Sequence, residues 1–355
     1  MTKSADSKPQ LTVVSPEVAP ATQSGWRRAR SALRWLATAV LIGWLAASAD
    51  WTDVRHTFAT ASVPWLLIAA GTYLASQLAS VVRWEILVRA AGFRRPRRHL
   101  VAAYFEGMFV NVCLPTTLGG DLLKVFRIGG AQQKRLASST VAADRTCGLA
   151  ALLTLLVVGL LLKMGGIGVV AAPLLILGVV IASLTASWAL RSGVISLGPM
   201  SGERKGRLWQ PLKPVLRFLP MGIRQLAIET SWARVMIWAF VVQTLNVTAV
   251  AAVAGSIGLD VSPIEILVAT TTVSLAAALP ISIAGIGVRE ASLPLMLAAD
   301  GVPRASGIAL GMAWSGIVLA IGLLGGPIHF AAQRRVTRER VSTPTKSTVA
   351  ARRSA

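Results

Sequence analysis

The chain has 355 residues, of which 54% are hydrophobic and only 14% charged, yet its formal net charge is +21. The mean hydropathy of +0.62 and the pI near 11.6 suit a membrane protein better than a soluble one. A nucleic-acid-binding protein can be equally basic, but here lysine and arginine flank apolar stretches, where they set membrane orientation and meet anionic headgroups. Composition therefore predicts an all-α, polytopic membrane helical bundle with membrane lipids, and no nucleic acid, as its partners.

Six apolar stretches are about 20 residues long, which is the length a helix needs to cross the hydrocarbon core. They cover residues 32–49, 63–82, 137–162, 167–190, 232–257 and 305–330. Two further stretches, 99–118 and 263–283, each end in a Pro and Gly cluster followed at once by a second short helical segment. We interpret these two as re-entrant, broken-helix hairpins, which gives six full spans plus two hairpins.

The basic residues determine the predicted orientation, because cytoplasmic loops are enriched in lysine and arginine. The disordered basic tail 1–31, the loop 191–231 and the disordered basic tail 331–355 are predicted to be cytoplasmic, with the transmembrane domain at 32–330 between the tails. Residues 124–135 carry four cations, and a re-entrant first hairpin keeps them in the cytoplasm. The alternative of eight full spans also leaves both termini inside but moves these cations outside.

The two predicted hairpins share a sequence pattern. Leu114-Pro115 is followed by Gly119 and Gly120, and Leu279-Pro280 is followed by Gly285 and Gly287, with a charged short helix after each glycine pair. Such Pro/Gly-interrupted segments in corresponding halves indicate a transporter built of inverted repeats. Two merely kinked spans would be the ordinary alternative, since proline and glycine are common in membrane helices.

Each broken helix offers an anion site, because a helix N-terminus has unpaired amides and a partial positive charge. Ionisable residues inside spans are rare and are functional candidates by default. The residues predicted to bind a lipid phosphate are Gly119, Gly120, Lys124, Arg145, Gly285, Gly287 and Arg289. Those predicted to form ion pairs or couple transport to protons are Glu106, Asp121, Asp144 and Glu290. Asn111, Pro115 and Pro280 mark the helix breaks.

Three questions about partners stay open from the sequence. Arg145 could pair with Glu290 and Arg289 with Asp144, or the arginines could contact a headgroup directly. Asn111 could satisfy broken backbone or touch the substrate, and Glu106 could carry a proton or pair with an arginine.

Cys113 and Cys147 form no metal or disulfide pattern, and no phosphate loop is present. We therefore expect no metal, no cofactor and no ATP hydrolysis by this chain.

These motifs resemble a known family. Asn111 with Leu114-Pro115, then Gly119-Gly120-Asp121, then Asp144-Arg145 with Gly148, is similar to the lysylphosphatidylglycerol synthase transmembrane region, and so is LPISIAGIGVREASL with Gly301 downstream. The resemblance covers roughly residues 33–330. It implies a flippase-like protein of the bacterial inner (plasma) membrane. The full synthases carry a soluble aminoacyl-transferase domain after the membrane part, and here about 25 polar residues follow Phe330.

The resemblance thus implies a stand-alone translocase that moves a lipid between leaflets, and it argues against aminoacylation without naming the lipid. With the predicted phosphate sites, we expect the lipid to be an anionic phospholipid or a polyprenyl-phosphate-linked lipid. Because no catalytic constellation is visible, we expect no enzyme activity. One alternative is a membrane-embedded enzyme, which would need a carboxylate or histidine cluster near the interface and a donor-binding domain. Another is an accessory partner of a lipid-modifying enzyme or a glycosyltransferase.

Overall fold

The structure is a computed structural model. It describes residues 50–113, 119–130, 133–166, 169–175, 232–278 and 287–331, together with positions 40, 43, 47, 178 and 230. Within these residues the chain is helical, without strands. The helices are α1 (Trp51–Ala59), α2 (Val63–Ala90), α3 (Arg97–Cys113), α4 (Gly119–Gly129), α5 (Lys134–Met164), α6 (Trp232–Ser256), α7 (Pro263–Ala278), α8 (Val288–Ala298) and α9 (Arg304–Leu323).

Four of these helices are long and apolar enough to cross a membrane: α2, α5, α6 and the last helix, which continues after a turn at Leu324 to Ala331. They confirm the spans predicted at 63–82, 137–162, 232–257 and 305–330. The predicted spans 32–49 and 167–190 fall largely outside the described residues, as do both tails and the 191–231 loop. The chain is therefore a multi-pass membrane protein.

Helix α1 lies between the predicted spans 32–49 and 63–82. Asp50 is its N-cap, because the Asp50 carboxylate accepts hydrogen bonds from the backbone amides of Thr52 (3.0 Å) and Asp53 (3.4 Å). An aspartate in this position satisfies amides that have no partner inside the helix. The short polar segment is thereby ordered as a helix, which packs against α9.

The first predicted hairpin consists of α3 and α4, which run antiparallel. Asn111, near the end of α3, bonds to Gly120 at the start of α4, while His99, near the start of α3, lies 3.1 Å from the carbonyl oxygen of Arg127. Arg95, just before α3, donates to the carbonyl of Ile128 at 3.0 Å. The chain thus returns at residue 128 to the end of the bundle where it entered α3.

The second predicted hairpin consists of α7 and α8, and it lies at the other end of α5. Gly159, late in α5, packs on Leu267 and Val268, early in α7. One turn further along α5, Lys163 pairs with Asp300, just after α8. The start of α7 and the residue after α8 are therefore both close to the C-terminal end of α5, whereas the first hairpin returns next to its N-terminal end.

Helix α9 packs against both hairpins through glycines. A Cβ atom on Gly307 would lie 2.7 Å from Pro294 Cα, and one on Gly311 would lie 2.9 Å from Glu290 Cα, both in α8. Beyond the end of α9, a Cβ on Gly325 would lie 2.0 Å from the Phe105 carbonyl oxygen in α3. These backbone contacts require glycine, since any side chain would separate the helices.

Candidate functional site

Two cations share one carboxylate at the start of α4. Arg145, in α5, donates from Nε to Asp121 Oδ2 at 3.0 Å, and its Nη2 lies at an ion-pair distance of 2.9 Å from the same oxygen. Lys124 Nζ, one helical turn after Asp121, lies 3.7 Å from the other carboxylate oxygen. Asp121 and Lys124 are buried, while the Arg145 side chain is 59% exposed. The cluster therefore has one more positive charge than negative, and one of its cations reaches the surface.

Aromatic rings hold the buried lysine. Lys124 Nζ lies 4.0 Å from the centroid of the Tyr104 ring and 5.6 Å from that of Trp84, which are cation–π distances. The indole Nε1 of Trp84 and Oδ1 of Asp121 are buried and have no hydrogen-bond partner among the described residues. The Trp84 indole N–H is thus a donor left unused beside the surplus positive charge of the cluster.

Gly120 brings α3 and α4 into contact. Its amide donates to Asn111 Oδ1 at 2.8 Å, so Asn111 has the backbone-capping role that the sequence left open. A Cβ atom on Gly120 would lie only 2.0 Å from the Gly107 carbonyl oxygen. Gly119, which begins α4, is half-buried. The glycine pair therefore serves first to join the two arms of the hairpin.

Asp144, beside Arg145 in α5, binds Arg83 of α2. Arg83 Nε donates to Asp144 Oδ1 at 2.7 Å, and the two side chains are only 7% and 9% exposed. Arg83 Nη1 is buried without a hydrogen-bond partner in the described part of the chain, next to the open face of Gly148. Asp144 and Arg145 thus point at different partners, as expected for adjacent residues of a helix.

Glu106 pairs with Arg127 across the first hairpin. Arg127 Nε and Nη2 donate to the two carboxylate oxygens at 2.8 and 2.9 Å, a bidentate geometry that strengthens the pair. Glu106 is 1% exposed. Of the two roles left open by the sequence, the structure therefore has Glu106 as the partner of an arginine.

The second hairpin has a smaller set of polar contacts. Gly287 adopts φ +84°, a conformation that favours glycine, and its amide donates to Glu290 Oε2 at 2.7 Å. Arg289 is half-buried, lies within electrostatic reach of Tyr73 and has no carboxylate within ion-pair distance among the described residues. Pro115, Pro280 and Gly285 lie outside the described residues.

The two pairings considered from the sequence do not occur. Arg145 binds Asp121 instead of Glu290, and Asp144 binds Arg83 instead of Arg289. Each carboxylate has a nearer partner, and Glu290 caps its own helix.

Buried polar side chains connect the lysine cluster to α6. The Tyr104 hydroxyl donates to Gln77 Oε1 at 3.4 Å, and Gln77 donates to Ser76 Oγ at 3.0 Å. Ser76 in turn donates to Asn246 of α6 at 2.8 Å. Polar side chains of α2 therefore join the first hairpin to α6.

The sequence analysis missed Arg83, Arg127, Trp84 and Tyr104. Arg83 carried a usable signal, since it follows directly on an apolar run and a buried arginine needs a partner. The aromatic pair carried none, because tryptophan and tyrosine are common in membrane helices for other reasons.

A family described as "Lysylphosphatidylglycerol synthase TM region" matches residues 31–326, which includes every residue of the cluster around Asp121 and of the second hairpin. No curated protein matches the chain.

Proposed function

The chain belongs to the family of lysylphosphatidylglycerol synthase transmembrane regions, and from that premise we propose that it moves an anionic phospholipid or a polyprenyl-phosphate-linked lipid between leaflets. As a multi-pass membrane protein of this family it is related to lipid handling. We further propose that the lipid crosses unmodified and that no cofactor takes part.

The observation that carries this proposal is the surplus positive charge at Asp121. A carboxylate shared by Lys124 and Arg145 leaves guanidinium and ammonium donors for a second anion. Arginine presents a fork of donors that fits a phosphate. Because Arg145 is exposed and Lys124 is buried, a phosphate can meet Arg145 first. The natural anion at this depth is a lipid phosphate.

The two hairpins support alternating access to such a site. Helices α3 and α7 have 17 and 16 residues, and α4 and α8 have 11 each. At about 1.5 Å per residue, none reaches across a hydrocarbon core of roughly 30 Å. Their ends return near opposite ends of α5. We propose that they are re-entrant and insert from opposite faces, with both termini cytoplasmic in a bacterial inner membrane.

We expect cysteines that flank one hairpin to react with an impermeant maleimide from the same side of the membrane. Arg94→Cys and Lys134→Cys flank the first hairpin, and Asp260→Cys and Pro303→Cys flank the second, in a chain whose native Cys113 and Cys147 are replaced by serine. All four positions are exposed. The first pair should label from the cytoplasm and the second pair from outside. Labelling of either pair from opposite sides would instead support eight full spans.

Removing Arg145 is expected to slow lipid exchange strongly. Proteoliposomes with fluorescent phosphatidylglycerol, quenched from outside by dithionite, report the exchange rate, and we expect Arg145→Ala to lower it at least about tenfold, the effect of losing roughly 1.4 kcal/mol of transition-state stabilisation. Arg289→Ala should act in the same direction. Arg55→Ala, which removes an exposed arginine of α1, is the matched control and should leave the rate unchanged. Parental rates in both Arg145→Ala and Arg289→Ala would refute the phosphate site.

A further inference from the structure

A cavity of about 610 Å³ opens at the end of α2, lined by Arg89, Gly92, Phe93, Arg94, Arg95 and Pro96. This volume is within the range of small-ligand sites. The cavity lies outside the cluster around Asp121, and none of its lining residues has a role in the proposed transport site.

A helix-ending turn shapes the cavity. The Gly92 amide donates to the Arg89 carbonyl at 2.9 Å, and the Phe93 amide donates to the Val88 carbonyl at 3.1 Å. With Gly92 at φ +85°, this is a Schellman motif, which closes a helix and turns the chain sharply. Phe93 is buried beneath the turn. The turn is therefore anchored, and the arginines on either side of Gly92 are held around one cavity.

The segment that forms the cavity has more positive than negative charge. Residues 85–98 contain five arginines and one acid, Glu85. Glu85 accepts a hydrogen bond from Arg89 Nη2 at 2.6 Å and forms an ion pair with Arg97, whose Nε lies 3.0 Å away, so it already pairs with two arginines. Arg94 is exposed and has no ion-pair partner in the described residues. Glu85 accepts from both Nε and Nη2 of Arg89, which leaves Nη1 of Arg89 and the Arg94 guanidinium to meet an anion that entered.

The cavity wall also contacts the first hairpin. Arg95 Nη2 donates to the Ile128 carbonyl, and His99 lies beside the Arg127 carbonyl at the same end of α4. Arg95 of the lining thus binds a carbonyl at the C-terminal end of α4, where a positive charge is favourable. Arg94 and Arg89 are the arginines left to face a ligand.

We propose that this cavity binds a phosphate group, held by Arg94 and Arg89 at the membrane surface where α2 ends. Phosphate is the anion whose oxygens fit paired guanidinium forks. The phosphate comes from an anionic lipid headgroup or from a free phosphate in solution. This site does not depend on the proposed transport, since it requires only binding and uses none of the residues around Asp121.

The test is equilibrium binding to the purified full chain in detergent, followed by native mass spectrometry. One arm adds phosphatidylglycerol, a second adds inorganic phosphate, and a third adds diacylglycerol, which lacks the phosphate. We expect Arg94→Gln to weaken phosphate-bearing ligands roughly tenfold, the usual scale for a charge-assisted hydrogen bond. Arg55→Gln is the control with the same change of charge at an exposed site, and it should bind as the parent does.

The three ligands distinguish binding of a lipid headgroup from binding of a soluble phosphate, and both from failure of the proposal. Loss of phosphatidylglycerol binding alone in Arg94→Gln identifies a lipid headgroup, and loss of inorganic phosphate binding identifies a soluble anion. Equal binding by Arg94→Gln, Arg55→Gln and the parent, or tight binding of diacylglycerol, overturns the proposal. Because Arg94 is exposed and unpaired, the variant should keep the parental melting temperature, so that loss of binding is not loss of fold. Failure here leaves the lipid-exchange result with Arg145→Ala untouched.

Discussion

Replacing Asp144 with leucine is expected to lower the free energy of unfolding by about 3–5 kcal/mol, the usual cost of breaking a buried ion pair. Asp144 is the only carboxylate within 4 Å of Arg83 among the described residues, and both side chains are almost completely buried. The leucine variant would leave the Arg83 guanidinium in an apolar interior, where one of its nitrogens already lacks a partner. The measurement is unfolding in mixed micelles titrated with dodecyl sulfate.

A second substitution distinguishes the lone charge from lost packing. Arg83→Met combined with Asp144→Leu removes both charges, and a buried pair replaced by apolar groups is often as stable as the original. We therefore expect the double variant to regain most of the stability lost in Asp144→Leu. Thr146→Leu, at an exposed position in α5, is the control and should change little. If the double variant is no more stable than Asp144→Leu, the ion pair is not the cause.

Gly120→Ala is the second change with a large expected effect. The new Cβ atom would lie 2.0 Å from the Gly107 carbonyl oxygen and 2.8 Å from Asn111 Nδ2, far inside van der Waals contact. The obstructing oxygen belongs to the backbone, so α3 and α4 must separate, which also breaks the bond from the Gly120 amide to Asn111. We expect a loss of about 3 kcal/mol or more, at the upper end for overpacking, together with loss of lipid exchange.

The matched control is Gly71→Ala in the long helix α2. That glycine is exposed, and a Cβ atom there meets nothing within 4 Å. Because alanine favours the helix over glycine by about 1 kcal/mol, Gly71→Ala should be as stable as the parent or more so. Equal melting temperatures for Gly120→Ala and Gly71→Ala would show that the α3–α4 contact is not tight in the membrane.

The long spans could be predicted from the sequence because the requirement of a bilayer is local: an uninterrupted apolar run of sufficient length. Where the prediction placed the end of the second span at Val82, helix α2 continues to Ala90. Arg83 and Glu85 would ordinarily end an apolar run, but both are paired in the structure and so can stay on a buried helix.

The ion pairs of the candidate site could not be predicted, because they join residues that are distant along the chain. Arg83 and Asp144 are 61 positions apart, and Arg145 and Asp121 are 24 apart. The sequence singled out Asp121, Asp144 and Arg145 as ionisable groups in apolar surroundings, and the structure places all three in ion pairs. Which carboxylate met which arginine depended on how α2, α4 and α5 lie against one another, and no local pattern records that arrangement.

The glycine contacts along α9 and its continuation have a mechanical consequence. Gly307 and Gly311 press against the backbone of α8, while Gly325 presses against the backbone of α3. Close-packed backbones do not stretch or compress, because interiors are nearly incompressible. If either hairpin tilted, this final helix would have to slide or rotate with it, and the other hairpin would then be displaced as well. The last helix and its continuation would therefore couple any movement of one hairpin to movement of the other.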